Sequence, residues 1–157
     1  MIRDVEPEPE RKHPARGILL VDGQPTVIFS TVCTKNRDQW LATSEVHSLL
    51  KEVWQNADAW LMGRYVIMPD HIHFFSWYTG SLIAYDKWVQ YWKSQFSKVF
   101  KQPKCRWLTG DWDTRVRSFA AYEEKWLYVK FNPVRQGLVK RPEDWPYQGE
   151  IHRLIWA

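Results

Sequence analysis

A chain of 157 residues has room for one domain, and a composition that is 45% hydrophobic is ample to give it a core. The net charge of +4 and pI near 9.1 are mild. However, Lys87, Lys93, Lys98, Lys101, Lys104 and Arg106 crowd one stretch whose only nearby acid is Asp86, a pattern that suits either a polyanionic partner or a solvated helix face. Cys33 and Cys105 stand far apart and outside any Cys-x-x-Cys, which argues against a zinc finger or a disulfide framework. No run of about 18 uncharged apolar residues and no signal-peptide core is present, so the expectation is a cytoplasmic protein with no membrane partner.

The first twelve residues, Met1 to Lys12, are rich in Pro, Glu and basic residues, so residues 1–16 read as a flexible arm and 17–157 as a single domain. Thr26 to Thr34 is dense in β-branched residues and exits through Lys35-Asn36-Arg37-Asp38, which predicts the first main strand. With Thr43 or Ser44 as N-cap, Val46, Leu49, Leu50, Val53, Trp54 and Ala57 fall at helical spacing and predict an amphipathic helix. Ala59 to Met68 then reads as a strand. Pro69-Asp70 breaks it before a further strand from His71 to about Tyr78, giving an antiparallel hairpin.

A helix is expected from about Leu82 to Lys101, with Tyr85, Trp88, Val89, Trp92, Phe96, Val99 and Phe100 on its apolar stripe and Lys87, Ser94, Lys98 and Lys101 opposite. Trp112 to Ser118 reads as a strand after the Gly110 turn. The last helix begins near Phe119 and ends by Asn132, because Pro133 cannot donate a backbone bond and biases the residue before it away from helical angles. The tail through Trp145, Tyr147 and Trp156 has little periodicity and is expected to pack by its aromatic anchors.

Two motifs carry chemistry. Strand side chains alternate faces, so His71 and His73 in His71-Ile72-His73 point to one side together with Phe75 and Trp77, and two imidazoles so placed can share one metal ion. Taken alone, the same pair is also what two buried, hydrogen-bonded histidines look like. The second motif is Tyr128-Val129-Lys130-Phe131-Asn132-Pro133-Val134-Arg135-Gln136-Gly137-Leu138-Val139, in which Tyr128 and Asn132 share a helix face at i, i+4. Tyr122 is a rival hydroxyl, but six residues is about 600° of helical rotation, so it and Tyr128 cannot both face one site.

In this order and spacing, Met68-Pro69-Asp70-His71-Ile72-His73 and the Tyr128 to Val139 segment resemble the REP-associated tyrosine transposases. These are small bacterial members of the single-tyrosine HUH endonuclease and transposase superfamily. The resemblance spans most of the chain, from the Thr26 strand with its Cys33-Thr34-Lys35-Asn36-Arg37 exit to Asp144-Trp145-Pro146. It implies an α+β, ferredoxin-like fold with a central antiparallel sheet flanked by helices. It also implies His71 and His73 as metal ligands, Asn132 as a third ligand and Tyr128 as the nucleophile of a 5′-phosphotyrosine intermediate.

The expected cofactor is a divalent metal, Mg²⁺ or Mn²⁺. The expected partner is single-stranded or hairpin DNA, on the bacterial nucleoid, bound by Lys87, Lys93, Lys98, Lys101, Arg117 and Arg135. Eleven tryptophans, seven tyrosines and seven phenylalanines exceed what a core of this size needs, so exposed tryptophans are expected to stack on splayed bases. Both a homodimer and a monomer fit the resemblance. Two other readings stay open: a hairpin-binding protein of the same fold that does not cut, and a metal-dependent hydrolase. The second is disfavoured because Asp70, on a strand, should point away from both histidines.

Overall fold

The computed structural model describes residues 26–154; the expected arm at residues 1–16 and Trp156 lie outside them. Strand β1 (Val27–Cys33) is followed by a 3-10 turn (Lys35–Arg37) and helix α1 (Ser44–Asn56). The hairpin of β2 (Trp60–Ile67) and β3 (His71–Tyr78) comes next, then α2 (Tyr85–Phe100), β4 (Trp112–Val116) and α3 (Phe119–Lys130). A one-turn helix α4 (Asn132–Arg135), a 3-10 turn (Pro142–Asp144) and β5 (Gln148–Glu150) complete it. The sheet order is β4-β1-β3-β2-β5, and every pairing is antiparallel. The first six main elements thus form a βαββαβ unit of order 4-1-3-2, the ferredoxin-like arrangement, with β5 added at the β2 edge.

Alternation along the strands divides the core in two. Ile28 and Val32 of β1 and Ile72 and Phe74 of β3 meet Leu50, Trp54, Trp88, Trp92 and Phe96 of α1 and α2. Val27, Phe29 and Phe75 face the other way, towards Tyr122 and Val129 of α3 and towards Trp145. Helix α1 starts as its sequence predicts: the Thr43 hydroxyl accepts from the Val46 amide at 3.2 Å. Ser118 caps α3 in the same manner through the Ala121 amide.

Four elements differ from expectation. Helix α2 begins at Tyr85 rather than Leu82, because Ser81 Oγ accepts from the Ile83 amide and the Trp60 indole donates to the Ile83 carbonyl, fixing Leu82–Ala84 as a turn. Val99, placed on its apolar stripe, is 60% exposed. Pro133 does not end helical structure: α3 stops at Lys130, and Pro133 opens α4, where a proline's missing N–H costs little. The tail adds β5, paired with β2 from Arg64↔Glu150 to Val66↔Gln148, while Trp145 anchors it by donating its indole N–H to the Ile67 carbonyl at 3.0 Å.

The tryptophans also differ. None of the ten described is exposed; Trp40, Trp92 and Trp107 instead extend the α2 layer through ring contacts with one another, Phe96 and Phe100. The exposed rings are Tyr91, Phe119, Tyr128 and Phe131.

Helix α3 has a thin apolar footing, since Phe119, Leu127 and Tyr128 are exposed and only Tyr122 and Val129 are buried. Arg64 of β2 supplements it. Its guanidinium lies 5.3 Å from the centroids of both the Tyr122 and Trp126 rings and bonds Glu123 at 3.0 Å. Arg64→Ala should therefore lower stability by about 1–2 kcal/mol. It should raise hydrogen exchange in α3 more than in α1 or α2, which exchange mass spectrometry will read.

Candidate active site

Central strand β3 pairs with β1 through Cys33↔His71 and Thr31↔His73. Both histidines are buried, with ring centroids 4.7 Å apart and planes at 75°. Each has its Nδ1 occupied: His71 Nδ1 lies 2.7 Å from Asp70 Oδ1, and His73 Nδ1 lies 2.9 Å from Thr31 Oγ1. The ionised Asp70 carboxylate can only accept, so His71 carries its proton on Nδ1 and its unprotonated Nε2 is the atom left to bind a metal; in His73 the hydrogen bond to the Thr31 hydroxyl likewise occupies Nδ1 and leaves Nε2 without a protein partner among the described residues. Burial, then the charges of His71, Lys125, Arg135 and Arg37, hold the His73 pKa well below its ordinary value, so the ring is neutral near pH 7. Phe29 stacks on it at 5.6 Å and 20°.

Asp70 corrects an expectation. It precedes β3 in the turn, where strand alternation does not apply, and its carboxylate turns onto His71 instead of away from it. Its second oxygen accepts from Arg37 Nε at 3.0 Å. Burial alone would raise the Asp70 pKa, but the hydrogen bonds and charges of His71 and Arg37 outweigh it and hold the carboxyl at about 2.

Helix α3 lies over the histidine face. Tyr122 packs on Phe75 at 4.6 Å, and Lys125 places its ammonium 4.9 Å from the Phe29 ring centroid. Tyr122 is buried, and burial pushes its pKa up to about 12, which fits a packing role. Tyr128 is 49% exposed, with the Arg135 guanidinium 3.8 Å from its ring centroid and Arg135 Nη1 donating to the Tyr128 carbonyl at 2.8 Å.

Asn132, at the start of α4, is completely buried, and neither its Oδ1 nor its Nδ2 has a hydrogen-bond partner among the described residues. An orphaned buried amide costs about 1–3 kcal/mol, so the position suits a donor that waits for a ligand. Among the described residues no group of three or more His, Cys, Asp or Glu is assembled to hold a metal ion. Asn132 Oδ1 is an oxygen donor buried without a hydrogen-bond partner among the described residues. These donors fit a divalent ion that accepts both imidazole and oxygen.

The expected DNA-binding cations separate into groups. Lys87, Lys93 and Lys98 lie on α2, and Lys101 is its left-handed C-cap; the buried side of the helix covers the sheet face opposite the histidines. Lys93 is itself buried and donates to the carbonyls of Leu108 and Gly110 at 3.0 and 2.9 Å, so it ties down a loop rather than presenting charge to solvent. Lys101 and Arg106 line an open groove of about 730 Å³ with Gln90, Ser94 and Ser97. Arg117 is exposed just after β4. Arg135 is beside Tyr128, as described. Lys125, Arg37 and Thr31 were not singled out from sequence; for Lys125 a signal existed, because it lies three residues before Tyr128 on the same helix.

No family model matches the chain. A REP-associated tyrosine transposase of Escherichia coli K12 is 27% identical over 132 residues, covering 81% of this chain and 77% of that protein. A putative REP-associated tyrosine transposase of Haemophilus influenzae is 30% identical over 105 residues, 58% of each chain. This chain is related to the REP-associated tyrosine transposases. The solved REP-associated tyrosine transposase bound to a REP hairpin superposes with a TM-score of 0.72 at 22% identity, over 90% of this chain and 81% of that one. A putative transposase from Deinococcus radiodurans R1 gives 0.50 at 18% identity, over 77% and 98%. The α+β fold with its five-stranded antiparallel sheet is thus the fold of that solved transposase.

The depressed carboxyl pKa of Asp70 contributes stability that is present above the unfolded value of 3.8 and is lost as pH falls towards about 2. In metal-free protein, Asp70→Asn should cost about 2 kcal/mol at pH 7, and urea titrations of the two proteins should converge as pH approaches 2.

Proposed function

We propose that this chain is a transposase-type, metal-assisted enzyme that cleaves and rejoins single-stranded DNA at hairpin-forming repeats, with Tyr128 as nucleophile. The observation that carries the reading is the histidine pair. Its two Nδ1 atoms are anchored and its Nε2 atoms are left available, beneath the helix that bears Tyr128 and leads into buried Asn132. The relatives named above support the class, and the hairpin held by the solved transposase supports the substrate.

In this proposal His71 Nε2, His73 Nε2 and Asn132 Oδ1 hold a divalent ion, Mg²⁺ or Mn²⁺, which when bound draws charge from the scissile phosphate. The Tyr128 phenol oxygen attacks phosphorus, forming an O–P bond as the bond from phosphorus to the 3′ oxygen breaks. The phenolic proton is lost, and the leaving oxygen gains one to become a 3′-hydroxyl. The resulting 5′-phosphotyrosine conserves the bond energy, so a 3′-hydroxyl can later reverse the step without ATP. Arg135 stacks on the Tyr128 ring and restricts it. Together with Lys125 it supplies positive charge over the histidine face, which favours entry of a phosphodiester.

The exposed cations Lys87 and Lys98 of α2, its C-cap Lys101, and Arg106 and Arg117 serve the DNA backbone away from the reacting phosphate. Tyr91, Phe119 and Phe131 take the base-stacking role that the sequence assigned to tryptophan. A cytoplasmic, nucleoid-bound location belongs to the same proposal; among the described residues no helix is long and apolar enough to cross a membrane.

The test is a denaturing gel of the protein with labelled single-stranded DNA carrying the repeat hairpins that flank its own gene, in Mg²⁺ or Mn²⁺. Wild type should give a protein–DNA adduct and Tyr128→Phe none. Cleavage that survives Tyr128→Phe would point to a hydrolase, and tight binding by wild type without an adduct to a non-cutting hairpin binder.

A further inference from the structure

The loop leaving β1 has an unusual backbone. Asn36 and Arg37 both lie in the left-handed region, at φ 59° and 56°. Such a conformation is tolerated by asparagine but unfavourable for arginine, and it persists only where surrounding bonds determine it. Those bonds are present. Thr34 Oγ1 donates to the Asp38 carbonyl at 2.7 Å, the Lys35 amide to Arg106 at 2.9 Å and the Asp38 amide to Lys35 at 3.2 Å. The loop is also stitched to the turn before β3: the Thr34 amide donates to the Asp70 carbonyl at 3.0 Å and the Leu41 amide to the Pro69 carbonyl at 3.0 Å. The strained residue is the one whose side chain reaches Asp70, with Arg37 Nε 3.0 Å from Oδ2, and the other oxygen of the same carboxylate meets His71 Nδ1 at 2.7 Å.

We propose that the Arg37–Asp70 pair is a positioning device for His71, in which the β1 exit loop holds Arg37, Arg37 fixes the Asp70 carboxylate, and Asp70 locks His71 with its proton on Nδ1 and its lone pair on Nε2. Neither residue touches substrate in this scheme; they act through the histidine. Three features favour design over coincidence. Both carboxylate oxygens are used, one on each neighbour, so the group is oriented as well as placed. The carboxylate is only 21% exposed, which limits competition from water. Backbone strain at Arg37 serves no packing purpose, since no residue of the 3-10 turn is buried.

The two histidines are also anchored differently. His73 rests on a neutral hydroxyl from the neighbouring strand, whereas His71 rests on a charged group. A carboxylate partner fixes an imidazole tautomer and raises the basicity of the distal nitrogen, and loss of such a partner lowers metal affinity about 10–100-fold. The proposal rests on the metal-site reading for its purpose but not for its first readout.

The experiment is ¹⁵N-detected NMR of the histidine rings in the metal-free protein, followed by Mn²⁺ titration of the same samples. In wild type, His71 should show a protonated Nδ1 and an unprotonated Nε2. Asp70→Ala should shift the ring to a mixture of tautomers and weaken Mn²⁺ binding about 10–100-fold. Arg37→Ala should move both readouts in the same direction by less, and Arg37→Lys should restore part of the loss. Thr31→Val should leave the His71 tautomer unchanged.

An unchanged His71 tautomer in a folded Asp70→Ala protein would overturn the proposal. Should that variant not fold, Arg37→Ala decides it: unchanged Mn²⁺ affinity there would remove Arg37 from the device. If wild type bound no Mn²⁺ at all, the metal reading would fail, while the tautomer comparison would still judge the role of Asp70.

Discussion

Strand β3 is the constraint on which the rest depends. It is the middle strand of five and is buried on both faces from His71 to Ser76. A strand so placed must present alternate residues to two separate layers, because its side chains have period 2. Ile72 and Phe74 join the larger core under α1 and α2, which supplies most of the buried apolar area. His71 and His73 are thereby committed to the other layer, where Phe75 is the platform for α3. A one-residue slip in register would send the histidines into the apolar core and Ile72 to the site. The packing that stabilises the domain thus also selects which face carries the chemistry.

The two layers are built to different standards. The α1 and α2 side is a dense network of rings, with Trp54, Trp88 and Trp92 completely or almost completely buried. The α3 side is thinner and leans on polar supplements: Arg64 against two rings, Lys125 over Phe29, and a capped but largely exposed helix. Such a helix is the part of a fold that can open or shift at low cost. It is also the part that carries Tyr128, leaves its ring half exposed, and leads into an asparagine whose amide is buried without a partner among the described residues. Unsatisfied polar groups and local strain concentrate at sites where a ligand is expected to supply what the protein withholds.

Much of this was legible in the chain. Periodicity located β1, α1, the hairpin and β4 to within a residue or two, and alternation put His71 and His73 on the face shared with Phe75. What escaped was decided by tertiary neighbours. The residues of β5 are Gln148, Gly149 and Glu150, which carry no strand preference and pair only because the β2 edge is available. Lys93 looked like part of a basic surface, yet its ammonium is buried and bonded to two loop carbonyls. Asp70 was assigned a strand geometry that its turn does not obey. The tryptophans were numerous enough to suggest an exposed stacking surface, but the ring cluster along α2 absorbs Trp40, Trp92 and Trp107, while Trp77, Trp126 and Trp145 pack in the α3 layer. A periodic pattern says which way a side chain points; it does not say what waits there.

In the proposed reaction the histidine face beneath α3 binds a metal ion, with Asn132 as a further ligand. Anomalous scattering at the manganese edge, from crystals of the protein grown with Mn²⁺, tests it most directly. One strong peak is expected within bonding distance of Nε2 of both His71 and His73, with Asn132 Oδ1 as a further ligand. A peak on other residues, or both Nε2 atoms engaged by protein groups with no metal between them, would contradict it.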